Sequence, residues 1–350
     1  MTAIGIVMVV MGHKYQPQHL FYPAYAFHMG LFFFISGMLT KPTLSWSDKL
    51  HFLRKKADSQ LLRYFRYNLL FAFITYGVAL AGVKLGAVPD FSSAAAAGES
   101  LYQFFVTPFT TAHQYHLFIP SWFVLQLFVC GCVFQWTFPF RARIGGLVYL
   151  IVATVVAVVA LRFGLDKHAD ARLLLIRTSF GLLFYAAGYV FQKHRELLAP
   201  LVTSPTYVLC AIFAVDVIQS WFGKITYSIV SGNMGNPRVG ALLLSTLLII
   251  GIVYAISFHV ARLLKEQSWV WVVSRNSFYI MVFHLPVFFL VNCILAMLGF
   301  VKAESLADVY TSYRPARFWP VYLIPAVLLP VLLGEWWSRR KQARASIARA

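Results

Sequence analysis

Long apolar runs alternate with short basic stretches along this chain, and the alternation predicts its elements. Ten segments read as membrane-spanning helices: residues 3–13, 21–40, 66–86, 117–138, 144–161, 174–191, 205–222, 239–261, 277–298 and 318–334. Most approach the roughly twenty residues a helix needs to cross the hydrocarbon core of a bilayer. The first supplies about half of that length, so a chain that begins late and a truncated first helix are expected. The predicted fold is all-α, a polytopic membrane helix bundle of about ten transmembrane helices. It forms a single domain over residues 1–350, with no soluble domain and no internal repeat. One connection, residues 87–116, is long, poor in basic residues and rich in Ser, Ala and aromatics, and is expected to cover or line an external vestibule.

Composition agrees with this pattern and adds an orientation. The chain is 60% hydrophobic and 12% charged, and its 30 Lys and Arg against 12 Asp and Glu give a formal charge of +18. In a membrane protein such an excess reports orientation, and no nucleic-acid partner is expected. With the N-terminus placed inside, the inward segments 41–66, 139–143, 192–204, 262–276 and 335–350 hold 19 Lys and Arg against 10 outside, with Arg177 left within a span. Both termini are therefore expected in the cytoplasm, and the basic loops suit anionic lipid headgroups. Cys130, Cys132, Cys210 and Cys293 all fall inside apolar spans, which indicates neither a disulfide framework nor a zinc site. No cleavable signal peptide is apparent.

Few residues in the spans can carry chemistry. His13 closes the first apolar run, where an ionisable side chain either bonds a loop at the boundary or faces a cavity as a general base. His28 and Ser36, eight residues apart in "FHMGLFFFISGML", share a helical face; Ser36 and Gly37 read as packing positions that could bring this face against the first helix. Arg63 and Arg66, three residues apart at the end of a basic amphipathic segment, are either a positive-inside anchor or a fork for phosphates. Arg177 and Asp216 are opposite charges within spans and are expected to pair or to bind a polar acceptor jointly. In "SRNSFYIMVFHLPVF", Asn276 and Ser277 are candidate oxyanion donors. His284, two turns beyond Ser277, precedes Pro286, where a local helix break is expected. Trp122 reads as an interfacial belt aromatic. The chain has no G-x-x-x-x-G-K-[ST] loop, no H-E-x-x-H helix and no G-x-S-x-G elbow, so neither metal-assisted nor serine-triad hydrolysis is supported.

Taken in order, "AIGIVMVVMGH", "FHMGLFFFISGML", "RKK…RYFR", "SWFVLQLF" and "NSFYIMVFH" resemble the acyltransferase-3 family of integral membrane acyltransferases, and most of all its fucose 4-O-acetylase-like branch. The resemblance covers nearly the whole chain. It implies transfer of an acyl group, here acetyl, from cytosolic acetyl-CoA to a hydroxyl of a sugar or polysaccharide precursor at the outer side of a bacterial-type inner (plasma) membrane, without a metal. It further implies that His13 is the essential histidine and that Arg63 and Arg66 are the family's Arg-x-x-Arg pair, holding the donor. The family places a cation eleven residues before the histidine, and this chain has Thr2 there. Two other readings stand beside this one. A polysaccharide or solute transporter would line its path with Arg177, Asp216 and the histidines, and an inactive scaffold would account for Thr2.

Overall fold

The computed structural model describes residues 1–14, 24, 27–41, 43–110, 115–163, 170–223, 227–229, 233–234, 238–265, 268–310 and 312–347. Its helices are α1 (Thr2–Lys14), α2 (His28–Met38), α3 (Trp46–Lys56), α4 (Leu62–Leu80), α5 (Ala94–Phe105), α6 (Thr107–Thr110), α7 (Trp122–Ile144), α8 (Gly146–Phe163), α9 (Asp170–Lys193), α10 (Arg195–Val202), α11 (Pro205–Phe222), α12 (Val239–Leu263), α13 (Trp269–Arg275), α14 (Ser277–Met297) and α15 (Pro315–Ile347). A π-turn, Ala57–Leu61, joins α3 to α4, and 3₁₀ turns cover His116–Ser121 and Ala303–Ala307. The only described strands are the two-residue pair Tyr227–Ser228 and Asn233–Met234.

Each predicted span coincides with a helix: α1, α2, α4, α7, α8, α9, α11, α12, α14 and α15. Six of these, α7, α9, α11, α12, α14 and α15, are long and apolar enough to cross a membrane, α1, α2 and α8 are shorter apolar helices and α4 falls in neither group, so the described residues give six full-length spans against the expected ten. Residues 21–23, 25 and 26 of the second predicted span lie outside the described residues. Local chemistry sets several boundaries. Ser204 accepts from the Tyr207 N–H at 3.2 Å and Pro205 opens α11, while Gly223, at φ +76°, follows its end. Ser93 caps α5 through the Ala96 N–H. The 87–116 connection is therefore partly helical, since α5 and α6 occupy it.

Packing centres on α2, whose closest partner is α9. A Cβ on Gly37 would lie 1.9 Å from the Tyr185 carbonyl oxygen, and one on Gly188 would lie 1.9 Å from that of Phe34. The two backbones touch reciprocally, as small residues permit where lipid offers no hydrophobic drive for helix pairing. Gly37 is thus a packing residue, but the helix it admits is α9. Contact between α1 and α2 runs through Gly5, which abuts Leu31 and Phe32. This arrangement holds α1 against α2, α14 and α15 and fixes where its last turn lies.

Candidate active site

A cavity of about 410 Å³ lies among α1, α2, the π-turn, the start of α4, the 3₁₀ turn before α7, and α14. Ile6, Val9, Phe32, Phe123, Leu127 and Met281 supply apolar walls, and His13, His28, Ser59, Gln60, Arg63, Ser277 and Tyr310 supply polar groups. A mostly apolar chamber with a few convergent polar groups is the usual form of a small-molecule site.

His13 sits in the last turn of α1, half-buried on the cavity wall. Its ring packs against His284 with centroids 5.1 Å apart and planes at 30°, and against Tyr310 at 5.6 Å and 28°. His284 is fully buried, and its Nδ1 lies 2.8 Å from the Ile280 carbonyl oxygen. A carbonyl can only accept, so in the neutral ring the proton sits on Nδ1 and Nε2 is left as an acceptor. That Nε2 is buried without a hydrogen-bond partner. α14 runs unbroken through Pro286, so the expected helix break is absent. His28 is set in the same way, with Nδ1 donating to the Ala24 carbonyl at 2.6 Å, and it lines the cavity.

The two arginines of α4 separate. Both are exposed, but Arg63 lines the cavity with its guanidinium 4.9 Å from the centre of the Phe278 ring, whereas Arg66 does not line it. Among the described residues Arg63 is the one cation in the wall.

Three expectations are corrected. Trp122 is 4% exposed and forms part of the cavity wall, so it is not a lipid-facing belt residue. The 3₁₀ turn preceding it packs on α4 and α14 and aims the indole inward. Arg177 and Asp216 do not pair. Arg177 is buried, donates from Nη1 to the Thr110 carbonyl at 3.1 Å and from Nε to that of Ile229 at 3.4 Å, and places its guanidinium 5.3 Å from the centre of the Trp122 ring. Asp216 is exposed on α11. Backbone carbonyls and an aromatic face are among the groups that accommodate this cation, and Asp216 is not one of them. Asn276 does not reach the cavity as an oxyanion donor: its Nδ2 donates to the Val272 carbonyl at 2.9 Å and to Glu335 Oε1 at 2.6 Å. Glu335 also receives two bonds of 2.8 Å from Arg275, so this cluster pins the α13–α14 corner to α15. Gly334 leaves the room, since a Cβ there would lie 2.1 Å from Asn276 Oδ1. Ser277, next to Asn276, does line the cavity.

Ser59, Gln60 and Tyr310 line the cavity without having been singled out in the sequence. Gln60 stands three residues before Arg63, and that helical spacing is the one sequence signal that could have marked it. Tyr310 comes from the connection between α14 and α15, where no periodicity points to it. Burial, and then the Asp308 carboxylate, push its phenol up to about 12, so the hydroxyl is a donor at neutral pH.

A family model for the acyltransferase domain of the acyltransferase-3 type matches residues 2–335. The chain belongs to this family, and it is a multi-pass membrane acyltransferase. No curated protein and no solved structure matches it.

Proposed function

We propose that the protein is an O-acetyltransferase of the fucose 4-O-acetylase-like kind, moving an acetyl group from cytosolic acetyl-CoA to a hydroxyl of a sugar or cell-surface polysaccharide precursor. The observation that carries this reading is the cavity itself. Its wall joins His13 to Arg63 at the start of α4, in a segment expected to face the cytoplasm, and to Tyr310 and Ile229, from segments expected to face outward. A thioester entering beside Arg63 and an alcohol entering beside Tyr310 would meet at one imidazole.

In this reading His13 takes the proton of the acceptor hydroxyl as its oxygen attacks the thioester carbonyl, and the C–S bond then breaks to release CoA as the thiolate, which takes that proton back from His13. Transient transfer of the acetyl group to His13 itself is the two-step variant. Arg63 neutralises donor phosphate at the cavity mouth. Ser59, Ser277 and Tyr310 bring hydroxyls to the cavity wall and are the candidates to serve a developing oxyanion. Thr2 lacks the charge that the family places at that position, and Arg63 takes over that part. The enzyme would lie in a bacterial-type inner membrane with both termini in the cytoplasm, in keeping with the distribution of its basic residues.

The test is direct. Purified protein in nanodiscs, given acetyl-CoA and carbohydrate acceptors, should release free CoA only when both substrates are present. Acceptor uptake across sealed vesicles without thioester cleavage would support a transporter instead.

A further inference from the structure

Gln60 belongs to the π-turn Ala57–Leu61, closed by a Leu62 N–H to Ala57 carbonyl bond. π-turns are rare within helices and concentrate at functional positions. Gln60 is among the residues that line the cavity, and its Oε1 is buried without a hydrogen-bond partner. An orphaned buried carbonyl is costly, which marks it as an acceptor awaiting a donor group.

Its surroundings say which donor. Three residues further on, Arg63 stands in the cavity wall, and just before the turn Arg54, Lys55 and Lys56 end α3. A ligand that brings phosphates to these cations and a thioester to His13 must run its connecting arm past Gln60. In a CoA thioester that arm is pantetheine, which carries two secondary amides between stretches of methylene and methyl groups. Apolar walls such as Ile6, Val9 and Phe278 suit the hydrocarbon, while an amide N–H requires an acceptor.

On the acyl-transfer reading above, we propose that Gln60 accepts a hydrogen bond from a pantetheine amide N–H and so positions the donor arm between Arg63 and His13. Gln60 then contributes to recognition of the arm and not of the nucleotide.

Calorimetry on the full-length protein in nanodiscs tests this with two probes. One is a stable acetyl-CoA analogue in which a methylene replaces the thioester sulfur; the other is adenosine 3′,5′-bisphosphate, which lacks the arm. Gln60→Met and Gln60→Leu should each weaken the analogue about tenfold, the value of one neutral hydrogen bond. Both should leave affinity for the bisphosphate unchanged, which also shows that the variants are folded. Unchanged affinity for the analogue in both variants overturns the assignment, as does an equal loss for both probes. A wild-type protein that binds neither probe refutes the donor reading itself, and that failure is seen before any substitution is made.

Discussion

His13 and His284, 271 residues apart in sequence, meet with ring centroids 5.1 Å apart and planes inclined by 30°. The ring of His13 lies against that of His284, whose Nε2 is buried without a hydrogen-bond partner, and we infer that a His13 N–H turned toward this atom would find an acceptor there. His284 would then hold the proton-bearing form of His13 in place during transfer. His284→Leu, which keeps similar volume and removes the acceptor, should lower kcat about ten- to a hundredfold with little change in KM. Thermal unfolding should be unchanged or raised, because a buried unsatisfied atom is removed. His284→Gln, which restores an acceptor near the position of Nε2, should recover much of the loss. A purely packing role predicts the reverse order, with Leu tolerated and Gln harmful.

The α2–α9 crossing gives a stability prediction that does not depend on the chemistry. Gly37→Ala and Gly188→Ala each force a methyl into a backbone carbonyl and should cost about 1–3 kcal/mol or more, read as a fall in the unfolding midpoint in detergent. Gly77 in α4 has open space around it, so Gly77→Ala should be neutral or stabilising by up to about 1 kcal/mol.

Arg177 and Asp216 should respond very differently. Arg177→Met strips the Thr110 and Ile229 carbonyls of a donor and removes the cation beside Trp122, and should cost about 3 kcal/mol. Asp216→Asn, at an exposed position of a membrane-crossing helix, should be neutral or stabilising, and the double variant should be additive. A double variant more stable than the sum of the two single effects would restore the ion pair and contradict the structure.

The contrast between these residues shows what the sequence could reveal. Helix positions were legible because each apolar run must satisfy its own backbone within the bilayer. Gly37 was legible as a packing residue, but which helix it admits was not, since that depends on Gly188 of α9. Trp122 was misjudged because composition does not say which side of a helix looks into the bundle. Asn276 was misjudged because its partner Glu335 lies 59 residues away. His13 stood out from its chemistry alone, whereas its approach to His284 and Tyr310 depends on how α1 packs on α14. Gln60 escaped notice because its importance lies in a π-turn and an unsatisfied oxygen, and neither feature has a one-dimensional signature.

On the proposed mechanism, one imidazole on the cavity wall carries acetyl transfer between the two sides. Radiolabelled acetyl-CoA supplied to the cytoplasmic face of inside-out vesicles tests it. Vesicles with wild-type protein should label a carbohydrate acceptor, while His13→Ala, present in equal amount and with the same unfolding midpoint, should do so at least about a hundredfold more slowly. Labelling by His13→Ala at the wild-type rate would contradict the account.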